Sequence, residues 1–379
     1  MSLPEKFCAA PFKTAVIDRD GNMMPCCEYM PSGPRDSLTK IKDVKRWWNI
    51  ELQDLRQDMV DGKTNSGCHH CIAKESNPNS QSHRQYTNSH YPNLDFNVEL
   101  DAIEIRVSNY CNLKCIMCGS YASSSIADEY KKHEDKYNSI GMVGAWEPTI
   151  RWWDDQASLD NLKSILTTVS RINFAGGEPL LVPEVTDILN SLDPSKIKSI
   201  SFNTNLTRLT DKFLNAIKNF NSVEICVSLE GHGAHNDYIR NGSDWDTISS
   251  NINKLLEYPN VFLSINHVLQ HTSIFTLPKL LEYRDELSKK KIINLHLNEI
   301  YYGSYPSPGV LTVNSALPIH VNRFVAWLEE YRGEHQAQLI NWIKKYEFDA
   351  SLHQKFNEYI TMLNSIRGNN FADTFQINT

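Results

Sequence analysis

Three cysteines with short, regular spacing lie just before residue 120. Cys111, Cys115 and Cys118 form the pattern C-x-x-x-C-x-x-C directly after a β-rich run. Three thiolates on one loop can hold three irons of a [4Fe–4S] cube and leave the fourth iron open, which suits a cluster that chelates a substrate. The other interpretations are a zinc ion whose fourth ligand lies elsewhere in the chain, or three unrelated thiols.

A second group of cysteines lies within the first 75 residues. Its four candidate ligands are Cys8, Cys26, Cys68 and Cys71. Four thiolates can saturate an iron–sulfur cube or surround a tetrahedral zinc ion, and a zinc site could also use His69 or His70. Cys27 could replace Cys26, because neighbouring residues seldom bind one site together. Spacing does not separate these alternatives.

The composition excludes several classes of protein. The chain has 379 residues, of which 41% are hydrophobic and 22% charged, and this is typical of packed globular proteins. The net charge of −7 argues against nucleic acid as a partner. No apolar run approaches the ~18 residues that a membrane helix needs, and the start lacks an export signal. We therefore expect a cytoplasmic protein whose nine cysteines, an odd number, do not form a disulfide framework.

From about residue 100 onward, β-rich runs alternate with helical patterns. The runs cover residues 103–107, 171–174, 199–202, 223–227, 261–265 and 292–297. Helical patterns lie between them, for example over 161–169, 185–192, 209–217, 245–256 and 277–287. This alternation predicts an α/β protein with a parallel sheet and helices outside it. Six strands suit either an open barrel or a doubly wound sheet.

The flanking segments have different patterns. Residues 14–17 and 23–24 surround a Gly-centred turn and predict a hairpin, and residues 44–60 predict an amphipathic helix. Polar residues 76–99 indicate a linker or a wrapping loop. The domain prediction is a small cysteine-rich metal module over 1–75, this linker, a sheet domain over 100–310 and a C-terminal helical extension over 311–379.

The cysteine loop and the elements around it resemble the radical S-adenosylmethionine (SAM) enzymes over about residues 100–300. The resemblance implies a partial (β/α)6 TIM-like barrel with functional residues on the loops that follow the strands. It also implies that SAM chelates the open iron, that one electron cleaves SAM to methionine and a 5′-deoxyadenosyl radical, and that this radical abstracts hydrogen from a substrate. Met117 stands where the family often has an aromatic residue, which bears on packing near the adenine.

Motifs at the predicted strand ends carry the rest of the resemblance. The implied SAM-binding residues are Met117, Gly176, Gly177, Glu178, Asn203, Ser228, Glu230 and Arg240. Glycines let backbone carbonyls approach the SAM ammonium, and Glu178 complements its charge. Asn203 and Ser228 suit hydrogen bonds to ribose or carboxylate, and Arg240 suits the SAM carboxylate. Farther along, Asn266-His267 and residues 298–302, which include Tyr301 and Tyr302, are candidates to face a substrate.

The N-terminal cysteines resemble the twitch module, a relative of the SPASM domain that holds an auxiliary iron–sulfur cluster in many radical SAM enzymes. In most of these enzymes the module follows the barrel, whereas here it precedes it. The resemblance implies an auxiliary [4Fe–4S] cluster on Cys8, Cys26, Cys68 and Cys71, beside the SAM-chelating cluster. This auxiliary cluster would relay an electron or act structurally.

The resemblance also implies partners. A peptide or protein side chain is the leading substrate class, and an electron donor such as flavodoxin or ferredoxin and a separate substrate-delivery protein are expected. The enzymatic alternative is modification of a small metabolite or nucleoside. The alternative from another class is a non-catalytic, zinc-stapled scaffold, for which an intact three-cysteine loop has no use.

Overall fold

The structure is a computed structural model, and it describes residues 3–33, 39–76, 81–91, 96–144, 146–300 and 309–377. In these residues the strands are β1 Thr14–Ile17, β2 Met23–Met24, β3 Ala102–Arg106, β4 Arg171–Ala175, β5 Ser199–Thr204, β6 Val223–Ser228, β7 Val261–Leu269 and β8 Asn294–Glu299. They belong to one sheet with the order β2-β1-β3-β4-β5-β6-β7-β8. The six strands predicted from the sequence are therefore confirmed, with limits that differ by a few residues.

The helices before β5 are α1 Ala10–Lys13, α2 Val44–Arg46, α3 Gln53–Val60, α4 His69–Glu75, α5 His83–Ser89, α6 Ser124–Lys132, α7 Glu134–Ser139, α8 Gln156–Leu166 and α9 Pro183–Ser191. Those after it are α10 Asp211–Ile217, α11 Ala234–Ile239, α12 Trp245–Leu256, α13 Ser273–Ser288, α14 Pro318–Glu330, α15 Gln336–Ile343, α16 Ala350–Arg367 and α17 Phe371–Phe375. In the described part of the chain, none of them is long and apolar enough to span a membrane.

The predicted α/β class is confirmed, and the sheet is consistent with a partial barrel. Strands β3, β4 and β5 pair in parallel, as do β7 and β8, and helices lie in the connections between them. Alternate residues along β7 are buried, as expected for a strand with one face in the core. The N-terminal hairpin also joins this sheet, because β1 pairs with β2 antiparallel and with β3 in parallel.

Two N-terminal segments differ in detail from the sequence-based expectation. The helix predicted over 44–60 consists of α2, a π-helical turn at Trp47–Glu51, and α3. The segment expected to be a linker contains α5, which begins with a capping box between Ser82 and Gln85. The predicted limits of the domains stay predictions.

The chain divides into two compact units. The first comprises Met1–Ser108, Ile150–Phe202 and Asp211–Val223, and the second comprises Asn109–Thr149, Asn203–Thr210 and Glu224–Thr379. In the first unit, Phe174 and Phe202 are fully buried and stack with ring centroids 5.1 Å apart. The core of the second unit includes Leu113, Ile116 and Met117 of the cysteine loop together with residues of α16. The cysteine loop is therefore anchored in the core of its own unit.

Candidate functional site

The three cysteines of the predicted cluster loop lie together in the second unit, between β3 and α6. Cys115 is buried, whereas Cys111 and Cys118 are half-buried. The backbone N–H of Leu113 donates to Cys111 Sγ at 3.4 Å, and the Cys118 thiol donates to the sulfur of Cys115. Hydrogen bonds to sulfur of this kind stabilise thiolates, which are the form that binds metal.

The hydrogen bond between two of these cysteines moves their pKa values in opposite directions. The donation from Cys118 lowers the pKa of Cys115 to about 7, against the effect of burial and with help from the positive charge of Arg240. The same bond, together with burial and the neighbouring thiolates, raises the pKa of Cys118 well above its usual value. The loop thus favours the thiolate form at Cys115 over that at Cys118.

A run of serines at the start of α6 holds the cysteine loop. Ser124 Oγ accepts from the Cys111 N–H at 3.2 Å, and Ser125 Oγ donates to the Cys111 carbonyl at 2.8 Å. Ser123 Oγ donates to the Leu113 carbonyl and also caps α6 by accepting from the Ile126 N–H. These serines were not among the residues predicted for the site. Their position as an N-cap cluster directly after the cysteines is the signal that points to them.

The C-terminal helix α16 also supports the cysteine loop. Tyr359 Oη donates to the Ile116 carbonyl at 2.8 Å. Arg367, near the end of α16, pairs with Glu129 at 2.8 Å, and Lys114 of the loop reaches the other oxygen of Glu129 at 2.9 Å. Burial alone would raise the pKa of Glu129, but hydrogen bonds and charge from Arg367 hold it below its usual value. The C-terminal extension is thus part of the cluster loop's support.

We predict that Arg367→Leu lowers the free energy of unfolding by about 3 kcal/mol, because it leaves the buried Glu129 carboxylate without its main partner. Lys114 and Tyr137 still contact Glu129, which limits the loss. Urea denaturation measures it. The double variant Glu129→Gln/Arg367→Leu is expected to recover part of the loss, since it removes the unpaired charge. Equal losses in the single and double variants would contradict this account.

A buried ion pair lies beside Cys115. Arg240 Nη2 donates to Glu230 Oε1 at 2.7 Å, and Nη1 donates to Cys115 Sγ at 3.7 Å. The other Glu230 oxygen accepts from the Val268 N–H at 3.0 Å. Burial alone would lower the pKa of Arg240, but the sulfurs of Cys115 and Cys118 and the Glu230 carboxylate raise it. These groups form one electrostatic network around the sulfur of Cys115.

The predicted residues at the ends of β5 and β6 have different surroundings. Asn203 is exposed and Ser228 is half-buried. Asn205 is buried, and its amide donates to Cys111 Sγ at 3.8 Å and to Asn112 Oδ1 at 3.1 Å. Asn203 stays a predicted SAM contact, and Asn205 of the same segment is the residue that contacts the cysteine loop.

Of the remaining candidates in the second unit, Met117 and His267 are buried, whereas Asn298 and Glu299 at the end of β8 are exposed. Met117 packs in the hydrophobic core beside Ile116. His267 is fully buried, with Nε2 at 2.8 Å from Ser273 Oγ, so it lies in the protein interior. Tyr301 and Tyr302 lie outside the described residues.

The predicted Gly176-Gly177-Glu178 segment lies in the first unit, where β4 ends. Gly176 has φ +83°, and a Cβ there would lie 2.9 Å from Val107 N and 3.0 Å from Ser108 O. The Gly177 N–H donates to the same Ser108 carbonyl at 2.8 Å. Glu178 is buried and its carboxylate accepts from the Leu180 N–H at 3.0 Å. Gly177 thus hydrogen-bonds to Ser108, three residues before Cys111, and Gly176 packs closely against the same stretch of backbone.

The N-terminal cysteines surround a cavity within the first unit. Its volume is about 220 Å³, and Cys8, Cys26, Cys68 and Cys71 all line it. Arg84 of α5 braces the segment around Cys8, because Nη1 donates to the Phe7 carbonyl at 3.0 Å while the guanidinium pairs with Glu75. Four residues separated by up to 63 positions in the sequence are therefore brought to one space.

Cys27 is not among the described residues that line this cavity, and neither are His69 and His70, which follow Cys68. Cys27 Sγ lies 3.7 Å from His83 Nε2, and Cys27 is absent from the described residues that line the cavity. His70 Nδ1 lies 3.4 Å from Glu28 Oε2, and His69 Nδ1 lies 3.1 Å from the Ser66 carbonyl. Of these two neighbouring cysteines, Cys26 therefore lines the cavity and Cys27 is not among its described lining residues.

Burial and repulsion from neighbouring thiolates raise the pKa values of Cys8, Cys26 and Cys68 in the cavity. Burial raises the pKa of Cys8 to about 12 and that of Cys68 to about 11, and the negative charge of nearby thiolates adds to both shifts. The pKa of Cys26 is raised well above its usual value for the same two reasons. Within the described ranges, no three His, Cys, Asp or Glu side chains form a group that could hold a metal ion.

A family model links the cysteine loop to known proteins. Residues 105–274 match the model described as the Radical SAM superfamily. This stretch contains Cys111, Cys115 and Cys118, the two glycines after β4, and the ion pair beside Cys115. The predicted radical SAM domain is therefore confirmed over these residues, which make up less than half of the chain.

Curated relatives are distant and match over part of their length. A probable GTP 3′,8-cyclase of Methanocaldococcus jannaschii is 25% identical over 191 residues, which are 50% of this chain and 56% of that protein. The radical SAM cyclopropyl synthase TigE of Paramaledivibacter caminithermalis is 24% identical over 240 residues, 59% of this chain and 48% of that protein. This chain thus spans about half the length of the curated relatives that it matches.

Among solved structures, anSMEcpe with bound AdoMet is similar with a TM-score of 0.42 and 16% identity, over 60% of each chain. Streptococcus suis SuiB bound to S-adenosylmethionine has a TM-score of 0.38 and 14% identity, over 87% of this chain and 68% of that chain. These similarities concern the fold alone.

Proposed function

We propose that the chain is a radical SAM enzyme in which Cys111, Cys115 and Cys118 hold a [4Fe–4S] cluster that chelates SAM. The observation that carries this proposal is the convergence of three thiols on one loop, with hydrogen-bond donors directed at two of their sulfurs. When bound, the cluster and SAM supply a one-electron reductive cleavage that produces a carbon radical able to abstract hydrogen from a substrate.

The donor set fits such a cluster. A cube places each cysteine on a different iron, so its ligands surround a space and need not converge on one point. The Leu113 N–H and the Asn205 amide donate to Cys111, and the Arg240 guanidinium donates to Cys115. Donors of this kind fix the orientation of metal ligands and adjust the electron density on sulfur.

For the SAM contacts, Met117, Gly176, Gly177, Glu178, Asn203 and Ser228 remain our predictions. The geometry favours a different task for Glu230 and Arg240. Both oxygens of Glu230 are occupied, one by Arg240 and one by the Val268 N–H. This supports an action of the pair on the cluster more than a direct contact of Glu230 with ribose.

Anaerobic reconstitution with iron and sulfide tests the proposal. The protein is expected to turn brown, to bind iron and sulfide, and to form 5′-deoxyadenosine from SAM after reduction with dithionite, as measured by mass spectrometry. If the loaded protein forms no product, the electron paramagnetic resonance (EPR) spectrum of its reduced cluster is still expected to change on addition of SAM. Colourless protein that contains only zinc would support the scaffold alternative and contradict the proposal.

We further propose that Cys8, Cys26, Cys68 and Cys71 hold an auxiliary [4Fe–4S] cluster. A shared cavity of about 220 Å³ lined by four thiols supports this proposal, and so does the position of His69 and His70 outside its lining. Negative thiolates that raise each other's pKa are stabilised by a bound cationic centre. Zinc remains the competing occupant, and metal analysis of the purified protein distinguishes the two.

A pair of adjacent substitutions tests the auxiliary site. Cys26→Ser is expected to lower the iron content by about four per chain, because it removes one of four ligands. Cys27→Ser is the matched control and is expected to leave iron content unchanged, since Cys27 is not among the described residues that line the cavity and its sulfur contacts His83. Iron and sulfide assays on anaerobically reconstituted protein measure both. Loss of iron from Cys27→Ser alone would contradict the assignment.

For the substrate, we propose a peptide or protein side chain. The support is the combination of an N-terminal cysteine module with a radical SAM domain, which resembles that of peptide-modifying enzymes. A nucleotide is the second candidate, because relatives of the domain are named as probable GTP 3′,8-cyclases. An electron donor such as flavodoxin or ferredoxin and a substrate-delivery protein stay predictions.

Deuterium transfer separates the two substrate classes. A hydrogen abstracted from the substrate moves into 5′-deoxyadenosine, so a deuterated substrate labels this product. The loaded enzyme is incubated either with peptides from cells grown in deuterated medium or with deuterated GTP. Label from the peptides alone is the expected result. Label from GTP alone would replace the peptide proposal by the nucleotide candidate.

A further inference from the structure

The ion pair of Arg240 and Glu230 is buried, and burial of its two charges costs desolvation free energy. Arg240 is 8% exposed and Glu230 is fully buried. Moving two charges out of water costs more than a single buried pair usually returns, and apolar residues of similar size are often at least as stabilising. A pair retained in the interior beside Cys115 therefore calls for a task other than stability.

The position of the pair relative to Cys115 indicates that task. Arg240 Nη1 lies within hydrogen-bond distance of Cys115 Sγ, whereas Nη2, the other terminal nitrogen, donates to Glu230. Glu230 is itself fixed by the Val268 N–H, and its own N–H donates to Asn236 Oδ1 at 3.0 Å. The positive charge is thus the member of the pair that contacts the ligand sulfur.

We propose that Arg240 and Glu230 are positioning residues that set the reduction potential of the cluster held by Cys115. This inference rests on the proposed function. Reduction adds one electron to the cluster, the external reductant loses that electron, and no protein bond forms or breaks. A buried cation at a ligand sulfur stabilises the added negative charge and raises the potential. The Glu230 carboxylate contacts Arg240 and carries the opposite charge, so it cancels part of this effect while it holds Arg240 in place.

Substitutions of the two residues are therefore expected to move the potential in opposite directions. Arg240→Gln removes the positive charge and lowers the midpoint potential, whereas Glu230→Gln removes the negative charge and raises it. We expect at least a tenfold change in the reduction equilibrium for each, which is about 59 mV for a one-electron couple. Substitutions that only loosened the loop would not shift the midpoint potential in opposite directions.

The measurement is an anaerobic redox titration of the reconstituted full chain without SAM, followed by the EPR signal of the reduced cluster. The auxiliary ligands are unchanged in every variant, so signals that differ from the parent report on this loop. Arg284→Gln is the control, because Arg284 is an equally buried arginine that pairs with Asp285 and Glu334. It is expected to keep the parental potential.

Opposite shifts in Arg240→Gln and Glu230→Gln support the inference. Shifts of the same sign, or potentials equal to the parent, overturn it. If Arg240→Gln and the charge-retaining Arg240→Lys both fold but lose the cluster while Arg284→Gln keeps it, the pair serves assembly and the inference is also overturned. If the parent protein itself binds no cluster on this loop, the proposed function fails instead, so the two failures are distinguishable.

Discussion

Cys115→Ala is expected to reduce formation of 5′-deoxyadenosine to the background of an assay without enzyme. Cys115 is the buried member of the three-cysteine loop, and it accepts hydrogen bonds from both Cys118 and Arg240. Its removal leaves two thiolates for a cluster that needs three, so the loss exceeds the roughly 10–100-fold that removal of an outer-shell partner costs. Mass spectrometry after anaerobic reconstitution, reduction and addition of SAM measures it.

The matched control for Cys115→Ala is Cys226→Ala. Cys226 lies in β6 and belongs to neither cysteine group, and Ser264 is its hydrogen-bond partner. This variant is expected to keep parental iron content and product formation. Product formed by Cys115→Ala at the parental rate would show that the loop does not hold the SAM-chelating cluster.

Periodicity predicted the regular elements well wherever a helix or strand has one apolar face. Helix α12 was predicted over 245–256 and has these limits in the structure. Helix α5 was missed because its sequence, HRQYTNS, has no apolar stripe. Its stability comes from a capping box and from distant contacts, such as the hydrogen bond from the Ala9 N–H to Asn88 Oδ1. Local patterns carry no information about such contacts.

For a related reason, the sequence predicted some residues of the candidate site and not others. Cysteine spacing pointed to the loop with Cys111, Cys115 and Cys118, because ligands on one loop leave a local signal in the sequence. The N-terminal group was predicted only from the concentration of its cysteines within 75 residues. Arg240 and Cys115 are 125 positions apart, so their contact depends on the fold and not on any motif. Asn203 and Asn205 follow the same β-rich run, so the sequence does not show which of them contacts the cysteine loop. Only the backbone path determines that Asn205 faces Cys111.

Gly176→Ala is expected to lower the free energy of unfolding by about 3 kcal/mol or more, because two costs add. A left-handed backbone costs a residue with a Cβ roughly 1–2 kcal/mol. A further cost of about 1–3 kcal/mol comes from overpacking. Here the Cβ would lie 2.9–3.1 Å from backbone atoms of residues 106–108, which cannot move aside as a flexible side chain can.

Gly141→Ala separates these two costs in the same urea denaturation experiment. Gly141 has φ +81°, nearly the φ of Gly176, but a Cβ there would meet nothing within 4 Å. It is therefore expected to cost only the roughly 1–2 kcal/mol of the left-handed backbone. Equal losses at the two positions would show that the backbone around Ser108 yields to an added methyl group. A larger loss at Gly176 means that close backbone packing at the end of β4 fixes the chain three residues before the first cysteine of the loop. In that case Gly176→Ala is also expected to weaken cluster retention, whereas Gly141→Ala is not.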